Sequence, residues 1–326
     1  MVKKWLLIGA LLLGMPLSLF AQERYAISYG GFAGFQATIW AMQDLGLLAK
    51  YGLNGDLVMI PGTARGVQAL LAGSTHFAQV DATGPISAVV QGGDIVIVAA
   101  SLNKFPFSMV AQKEIRRPAE LVGKKVGIIN FGGANELAVV LALKEWNIPR
   151  QAVTLLPSGE AATRLVGMAS KALDATVLSP PETIEAARMG LNILAHMSDL
   201  KASFPMNAIA VRRSFMEKNR DVVKRFLQAH SEATLQFITH KEKGLAVYSK
   251  RLKQKNPKVI EETYTYYSRA FSFPPRVAHE GMRHSMDLVA QRAPGGKVDA
   301  NLERYLDESV VDELEREGFF KEIARR

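Results

Sequence analysis

Short apolar runs of strand length, rich in Val, Ile and Ala, alternate along this chain with stretches in which apolar residues recur every three or four positions. Two stretches can be laid over each other. The first is "VMIPGTARGVQALLAGSTHFAQVDATGP", Val58 to Pro85; the second is "TLLPSGEAATRLVGMASKALDATVLSPP", Thr154 to Pro181. Each reads strand, proline, small-residue turn, amphipathic helix, small residue, apolar strand, then a small or polar turn with proline. Pro61 and Pro157 are 96 residues apart, as are Pro85 and Pro181, with a small slip between those anchors. Upstream, "YAISYGGFAGFQATIWAM" matches "KVGIINFGGANELAVVLAL" as strand, aromatic-plus-Gly-Gly turn and helix. A β-turn-α-β-turn-α-β unit is therefore predicted twice, near residues 25–99 and 125–195. That pattern specifies an α/β protein with mostly parallel pairing, as two sheets or as two halves of one.

The connections bear on that choice. "SLNKFPFSMVAQKEI", Ser101 to Ile115, follows the strand predicted over Ile95–Ala100 and reads as a crossing from one lobe to another. A short apolar strand over Asn207–Val211 reads as a crossing back. Beyond Ser214 the pattern is mostly helical, with helices predicted over Met216–Thr239, Gly244–Lys255, Pro257–Arg269 and Arg276–Arg292. Two crossings put residues 22–104 and 206–326 in lobe I and residues 105–205 in lobe II. Pro106 and Pro205 keep helix from running through the crossings.

The N-terminus departs from this pattern. Lys3 and Lys4 precede an uncharged apolar run from Trp5 to Phe20 that ends at the small residue Ala21. This reads as a secretory signal peptide over residues 1–21, cleaved near Ala21, and so as a periplasmic protein. The run is short for a membrane span and is interrupted by Gly9, Gly14 and Pro16. With no cysteine in 326 residues, a thiol nucleophile, an Fe–S cluster and a thiolate zinc site are excluded. The net charge of +9 is spread over scattered basic residues that do not interleave with aromatics as a base-stacking surface requires, so no nucleic-acid partner is expected.

In open α/β sheets ligands sit beyond the carboxyl ends of the strands, where helix N-termini point. The turns there are Gly30–Phe35, Gly62–Arg65, Gly132–Glu136 and Ser158–Thr163, with Thr83-Gly84-Pro85 and Ser179-Pro180-Pro181 ending strands in the same direction. The candidate ligand-binding set is Gly31, Phe32, Phe35, Gly62, Thr63, Ala64, Arg65, Thr83, Ser101, Phe131, Gly132, Gly133, Ala134, Asn135, Ser158, Glu160, Ser179 and Glu182. Phe105 and Phe107 are also placed in or beside this cleft, with about half of its aromatics expected in the lobe cores.

A nucleotide is not the expected ligand. "GGFAGF" has the wrong spacing for a dinucleotide fingerprint, and the second strand ends Met59-Ile60-Pro61 without the ribose-binding acid. "GTARG" lacks the Lys-Ser/Thr of a P-loop, the six histidines form no zinc motif, and no G-x-S-x-G elbow occurs. No cofactor and no metal are expected. Asp81, Glu136, Glu160 and Glu182 lie near turns, where an acid/base pair is one use and helix capping or ligand hydrogen bonding another.

"YAISYGGFAGFQATIWAMQDLGLLAKYGL", "PGTARGVQALLAGSTHFAQV", "GKKVGIINFGGANELAVVLAL", "GMASKALDATVLSPP" and "YLDESVVDELEREGFF", taken in order, resemble the solute-binding proteins of ABC importers. The branch is the one that takes up alkanesulfonates, taurine, nitrate and thiamine-pyrimidine precursors. The resemblance covers nearly all of the chain after residue 21 and implies a type II periplasmic-binding fold, two lobes closing on a small solute, with ABC permease and ATPase subunits as partners and a monomer in solution. His76 stands where the family often has an acidic residue, at a structural position. The related thiamine-pyrimidine synthases need a cysteine-rich motif that this chain lacks. An exported hydrolase or isomerase using Glu136 or Glu160, and a ligand-sensing partner of a membrane receptor, are the alternative functions. No arginine pair stands out for sulfonate capture; Arg65 is the one basic residue in the four named turns, with Arg164 one position beyond.

Overall fold

The computed structural model describes residues 23–293 and 297–325, so the signal-peptide reading of residues 1–21 lies outside it. The first unit runs β1 (Arg24–Tyr29), α1 (Ala37–Asp44), α2 (Leu47–Lys50), β2 (Asn54–Met59), α3 (Thr63–Leu71), β3 (Phe77–Val80), α4 (Thr83–Val90) and β4 (Val96–Ala100). After β5 (Ser108–Ala111) the second runs β6 (Lys125–Ile128), α5 (Ala134–Glu145), β7 (Thr154–Pro157), α6 (Ala161–Ala169), β8 (Ala175–Leu178), α7 (Glu182–Arg188) and β9 (Asn192–His196). The chain then forms β10 (Ala208–Val211), α8 (Arg213–Lys218), α9 (Arg220–Thr239), α10 (Lys241–Arg251), α11 (Pro257–Ala270), α12 (His279–Ala290), α13 (Ser309–Arg316) and α14 (Phe319–Ile323).

The strands build two separate sheets, ordered β2-β1-β3-β10-β4 and β7-β6-β8-β5-β9. The repeat seen in the sequence is thus a repeat of sheets. In each, the first strand of the unit pairs in parallel with the second and third, as in Ile27↔Leu57 and Ile27↔Phe77, or Val126↔Leu155 and Val126↔Ala175. Each sheet also takes in one antiparallel strand next to a crossing. β10 enters the first sheet between β3 and β4, and β5 enters the second between β8 and β9.

The two crossings lie side by side. Leu102 O accepts from Met206 N (2.8 Å) and Asn207 N (3.2 Å), and Asn103 O accepts from Phe204 N (2.9 Å). Phe105 stacks on Phe204 with ring centres 4.4 Å apart. α12 presses on the second crossing at Gly281, where an added Cβ would lie 2.9 Å from Pro205 Cδ and 3.0 Å from Phe204 N.

Apolar residues cover both faces of each sheet. On one face of the first lie Ile39, Trp40 and Met42 of α1 with Phe226 and Leu227 of α9; on the other lie Leu70 of α3, Ile86 of α4 and Met282 of α12. The second sheet is covered by Leu137, Val139 and Leu143 of α5 and, opposite, by Met168 of α6 and Ala186 of α7. Helix ends differ from the sequence reading in three main places. α10 spans Lys241–Arg251 rather than Gly244–Lys255, ending where Leu252 turns to extended backbone (φ −74°, ψ 138°). Asn219, at φ −131° and ψ 43°, divides the run expected over Met216–Thr239 into α8 and α9. α12 begins at His279 rather than Arg276, because the preceding segment is tied elsewhere: Pro275 O accepts from Ala100 N (2.9 Å) and Val277 N donates to Glu308 (2.9 Å). His76 is structural. Its Nδ1 accepts from Ala26 N (3.1 Å) and its own N–H donates to Ala26 O (2.8 Å), fastening the start of β3 to β1.

His230 of α9 is fully buried, and neither ring nitrogen has a hydrogen-bond partner. Burial pushes its pKa from 6.5 to about 4. The unfolded chain takes up this proton first as pH falls, so stability is full above pH 6.5 and declines toward pH 4. The loss across that window is expected to reach about 3 kcal/mol. Urea unfolding of wild type and His230→Leu between those limits checks this; an equally steep acid loss in the variant contradicts it.

Candidate functional site

The turn after β1 brings the two lobes together. Gly34 fits because any Cβ there would lie 2.4 Å from the Tyr267 ring and 3.0 Å from Pro180 O of the second lobe. Tyr248 donates its hydroxyl to Gly34 O (2.7 Å), and the Tyr267 hydroxyl lies 3.5 Å from Pro180 O. Phe35 is half-buried and packs against the cores of both lobes. The strand-end turns of the two sheets therefore face each other.

In the first lobe, the polar candidates are tied to one another. Asp81 accepts from the hydroxyls of Thr63 and Thr83 and from Thr83 N (3.0 Å), joining the starts of α3 and α4. Ser101 is fully buried, its hydroxyl 3.3 Å from that of Thr38, and the chain continues through Gln79 to Gln36. Gly62, Ala64 and Arg65 are exposed, and Gly31 is half-buried. Gly62 has φ +86°, a conformation that strains any side chain, so replacing it tests folding as much as binding. Phe32 is 39% exposed, with Lys253 Nζ 4.5 Å from its ring centre.

In the second lobe, Phe131 is 55% exposed beside Gly132 and Gly133, while Ala134 and Asn135 are buried at the start of α5. Gly132 N donates to Glu136 (2.7 Å), and the same carboxylate oxygen takes Arg292 Nη2 at 2.6 Å. Arg292 follows α12, so this pair spans from the C-terminal helices to α5. The Ser158 hydroxyl donates to Leu156 O (3.0 Å). Glu160 is exposed, Ser179 is buried, and Glu182 is half-buried. Phe105 and Phe107, expected in or beside the cleft, are instead 0% and 5% exposed in the second lobe's core, where the first crossing turns inward.

Arg164 sits where the sequence reading saw only a neighbour of the turn. It is 3% exposed. Its Nε donates to Gly159 O (3.0 Å), and its Nη1 donates to Asn135 Oδ1 (3.2 Å), Thr176 Oγ1 (3.2 Å) and Val177 O. Burial pushes it down to about 10, and pushes Glu182 up to about 7. A signal was present: Arg164 lies four residues before the buried Met168, on the core face of an amphipathic helix. Arg292 and Tyr267 carried no such signal, since their partners are distant in sequence. Among the described residues no group of three His, Asp or Glu is arranged to hold a metal.

Two helix-flanked mixed sheets, two crossings and facing strand ends define a two-lobed protein of the periplasmic-binding fold. The family model described as NMT1/THI5 like matches residues 36–243, more than half of the chain, and the chain belongs to that family. A protein of Brucella abortus (strain 2308) provisionally named as a binding protein is 28% identical over 231 residues, covering 68% of this chain and 70% of the relative. The fold is shared with the ligand-binding component of an ABC-type import system from Staphylococcus aureus, solved with zinc bound (16% identity, TM-score 0.74, 90% of this chain and 99% of that one). It is shared too with the periplasmic aliphatic sulphonate-binding protein SsuA of Escherichia coli (21% identity, TM-score 0.70, 82% and 91%).

The Arg292–Glu136 pair is half-open to solvent on the arginine side, so its coupling is expected to be modest, about 0.5–1 kcal/mol. A double-mutant cycle with Glu136→Gln and Arg292→Gln measures it by urea unfolding; a coupling indistinguishable from zero makes the pair incidental.

Proposed function

We propose that this chain is an exported solute-binding protein that holds a small organic molecule between its lobes and presents it to the permease and ATPase subunits of an ABC importer. The observation that carries this reading is the facing of the two sets of strand-end turns, with Gly34 against Pro180 and Tyr267 at the junction. In such a protein the information passed to the transporter is the angle between lobes, and two adjacent crossings are the arrangement that permits one hinge. Residues 22–104 with 206–326 move as one body against residues 105–205. The half-exposed rings of Phe32 and Phe131 line the mouth, and the protein works as a periplasmic monomer. Among the described residues no helix is long and apolar enough to cross a membrane.

The alternative of an exported enzyme draws on one observation, the Glu182 carboxyl at about 7, a value suited to acid–base chemistry near neutral pH. Against it, Glu136 is engaged with Arg292 and Gly132, and Glu160 is exposed and caps α6 with no side-chain hydrogen bond. Mass spectrometry of molecules released on denaturing the purified protein identifies the solute. A matched solute at about 100 times its Kd is expected to add roughly 2.7 kcal/mol of stability and to be recovered unchanged. Its conversion at catalytic rates decides for the enzyme. Small-angle scattering is expected to show a smaller radius of gyration with saturating solute; an unchanged radius removes the hinge.

A further inference from the structure

We propose that the solute is an anion and that Arg164 is the residue of the second lobe that recognises its negative end, with Asn135 beside it as a second donor. This rests on the solute-binding reading above and adds to it the charge class of the solute and the group that selects it.

Arg164 is buried, yet it has no carboxylate within 4.0 Å among the described residues. Its recorded partners are all neutral: two main-chain carbonyls, a threonine hydroxyl and the amide oxygen of Asn135. At about 10 its pKa still leaves it charged at neutral pH. A cation held out of water by neutral acceptors alone lacks its counter-ion. Its Nη2 makes no hydrogen bond and is not sealed from solvent. The four bonds through Nε and Nη1 fix the plane of the guanidinium, so the free nitrogen is held in one direction, as recognition of an oxyanion requires. Asn135 supplies an independent sign of the same vacancy. Its Oδ1 accepts from Arg164 and from Ile129 N (3.3 Å), whereas its Nδ2 is buried and has no partner. Unpaired donors on two adjacent buried side chains, one reaching solvent at Arg164 and one sealed from it at Asn135, fit an acceptor that enters at Arg164 and reaches Asn135 behind it. α5 and α6 both begin here, and their dipoles favour the same sign of charge.

The surroundings of Glu182 give this subsite a pH dependence. It is faced by Arg164 and Glu160 of α6, by Glu185 of its own helix and by Tyr267 of α11. Its carboxyl titrates at about 7. Protonated Glu182 leaves the positive field of Arg164 uncompensated, and ionised Glu182 opposes an incoming anion. Anion binding is therefore coupled to proton uptake, and affinity falls as pH rises through 7.

The test is isothermal titration of the purified protein with ethanesulfonate, propionate and inorganic phosphate, and with the uncharged ethyl methyl sulfone and propionamide, at about pH 6 and about pH 8. At least one anion is expected to bind, with affinity falling by up to about tenfold per pH unit above neutrality. Glu182→Gln is expected to flatten the pH dependence, the affinity for the anion at about pH 8 rising toward its value at about pH 6. Arg164→Lys, which keeps a charge but not the fork, is expected to lose about tenfold or more for the anion, with circular dichroism reporting whether it folds. If it does not fold, Asn135→Ala, which removes the second donor, is read in its place, and a severalfold loss of affinity for the anion is expected. Binding of neutral probes only, or anion binding indifferent to pH and to both substitutions, overturns the proposal. When none of the probes binds, a neutral solute released from the native protein overturns the anion and leaves the solute-binding reading standing. No probe bound, no solute released and no stabilising hit in a metabolite screen overturn both.

Discussion

The structure depends on a few main-chain hydrogen bonds between its two crossing segments. Leu102 O holds Met206 N and Asn207 N, and Asn103 O holds Phe204 N. With these in place each sheet can accept an antiparallel strand beside its crossing, and the two sets of strand ends are brought face to face. Asn207 extends the link. Its main-chain oxygen accepts from Ser101 N (3.0 Å), and its side-chain amide donates to Phe35 O, in the turn that touches both cores. Gly281 shows how closely the joint is packed, because α12 can lie on it only without a side chain there. Four or five weak contacts at one place thus position residues from both ends of the chain.

What was legible in the sequence was whatever the chain states locally and repeats. The strand-proline-turn-helix units anchored at Pro61 and Pro157 became two sheets of matching strand order. The short strand β5 was hidden within a crossing for a physical reason. Its four residues, Ser108 to Ala111, are all buried between β8 and β9, so they show no alternation. Asn219 interrupts a helix without glycine or proline, and only its backbone angles reveal the break. Phe105 and Phe107 were misplaced because adjacency to a crossing says nothing about which way a ring turns. The boundary between useful and misleading signal is the range of the interaction: Arg164 had a periodicity cue, whereas Arg292 meets Glu136 across 156 positions.

The candidate site divides by how its polar atoms are used. In the first lobe Thr63, Thr83 and Ser101 are engaged with Asp81 and Thr38, so those hydroxyls hold turns in shape. In the second, Asn135 Nδ2 and Arg164 Nη2 have no partner. Desolvating a donor without a partner costs on the order of 1–3 kcal/mol, which favours whatever ligand supplies the missing acceptor. On the proposed reading the second lobe holds its cation, Arg164, buried and fixed, whereas the first lobe's basic residues near the turns, Arg65 and the Lys253 over Phe32, stand at the surface.

Away from the crossings, polar pairs also join the lobes. Arg188 meets Glu262 at 3.3 Å, Gln254 meets Glu185 at 2.5 Å, and Arg292 meets Glu136 at 2.6 Å. Each pair has at least one solvent-exposed or half-exposed member, and such contacts contribute about 0–1 kcal/mol apiece. Beside these pairs lie apolar contacts, Phe35 against both cores and Leu288 of α12 in the core of the second lobe, which any parting of the lobes would have to expose. A solute held by both lobes can shift this balance by no more than its preference for the closed arrangement. On the proposed reading, the charge at Arg164 adds to that preference only as far as the closed arrangement brings it nearer the anion than the open one does.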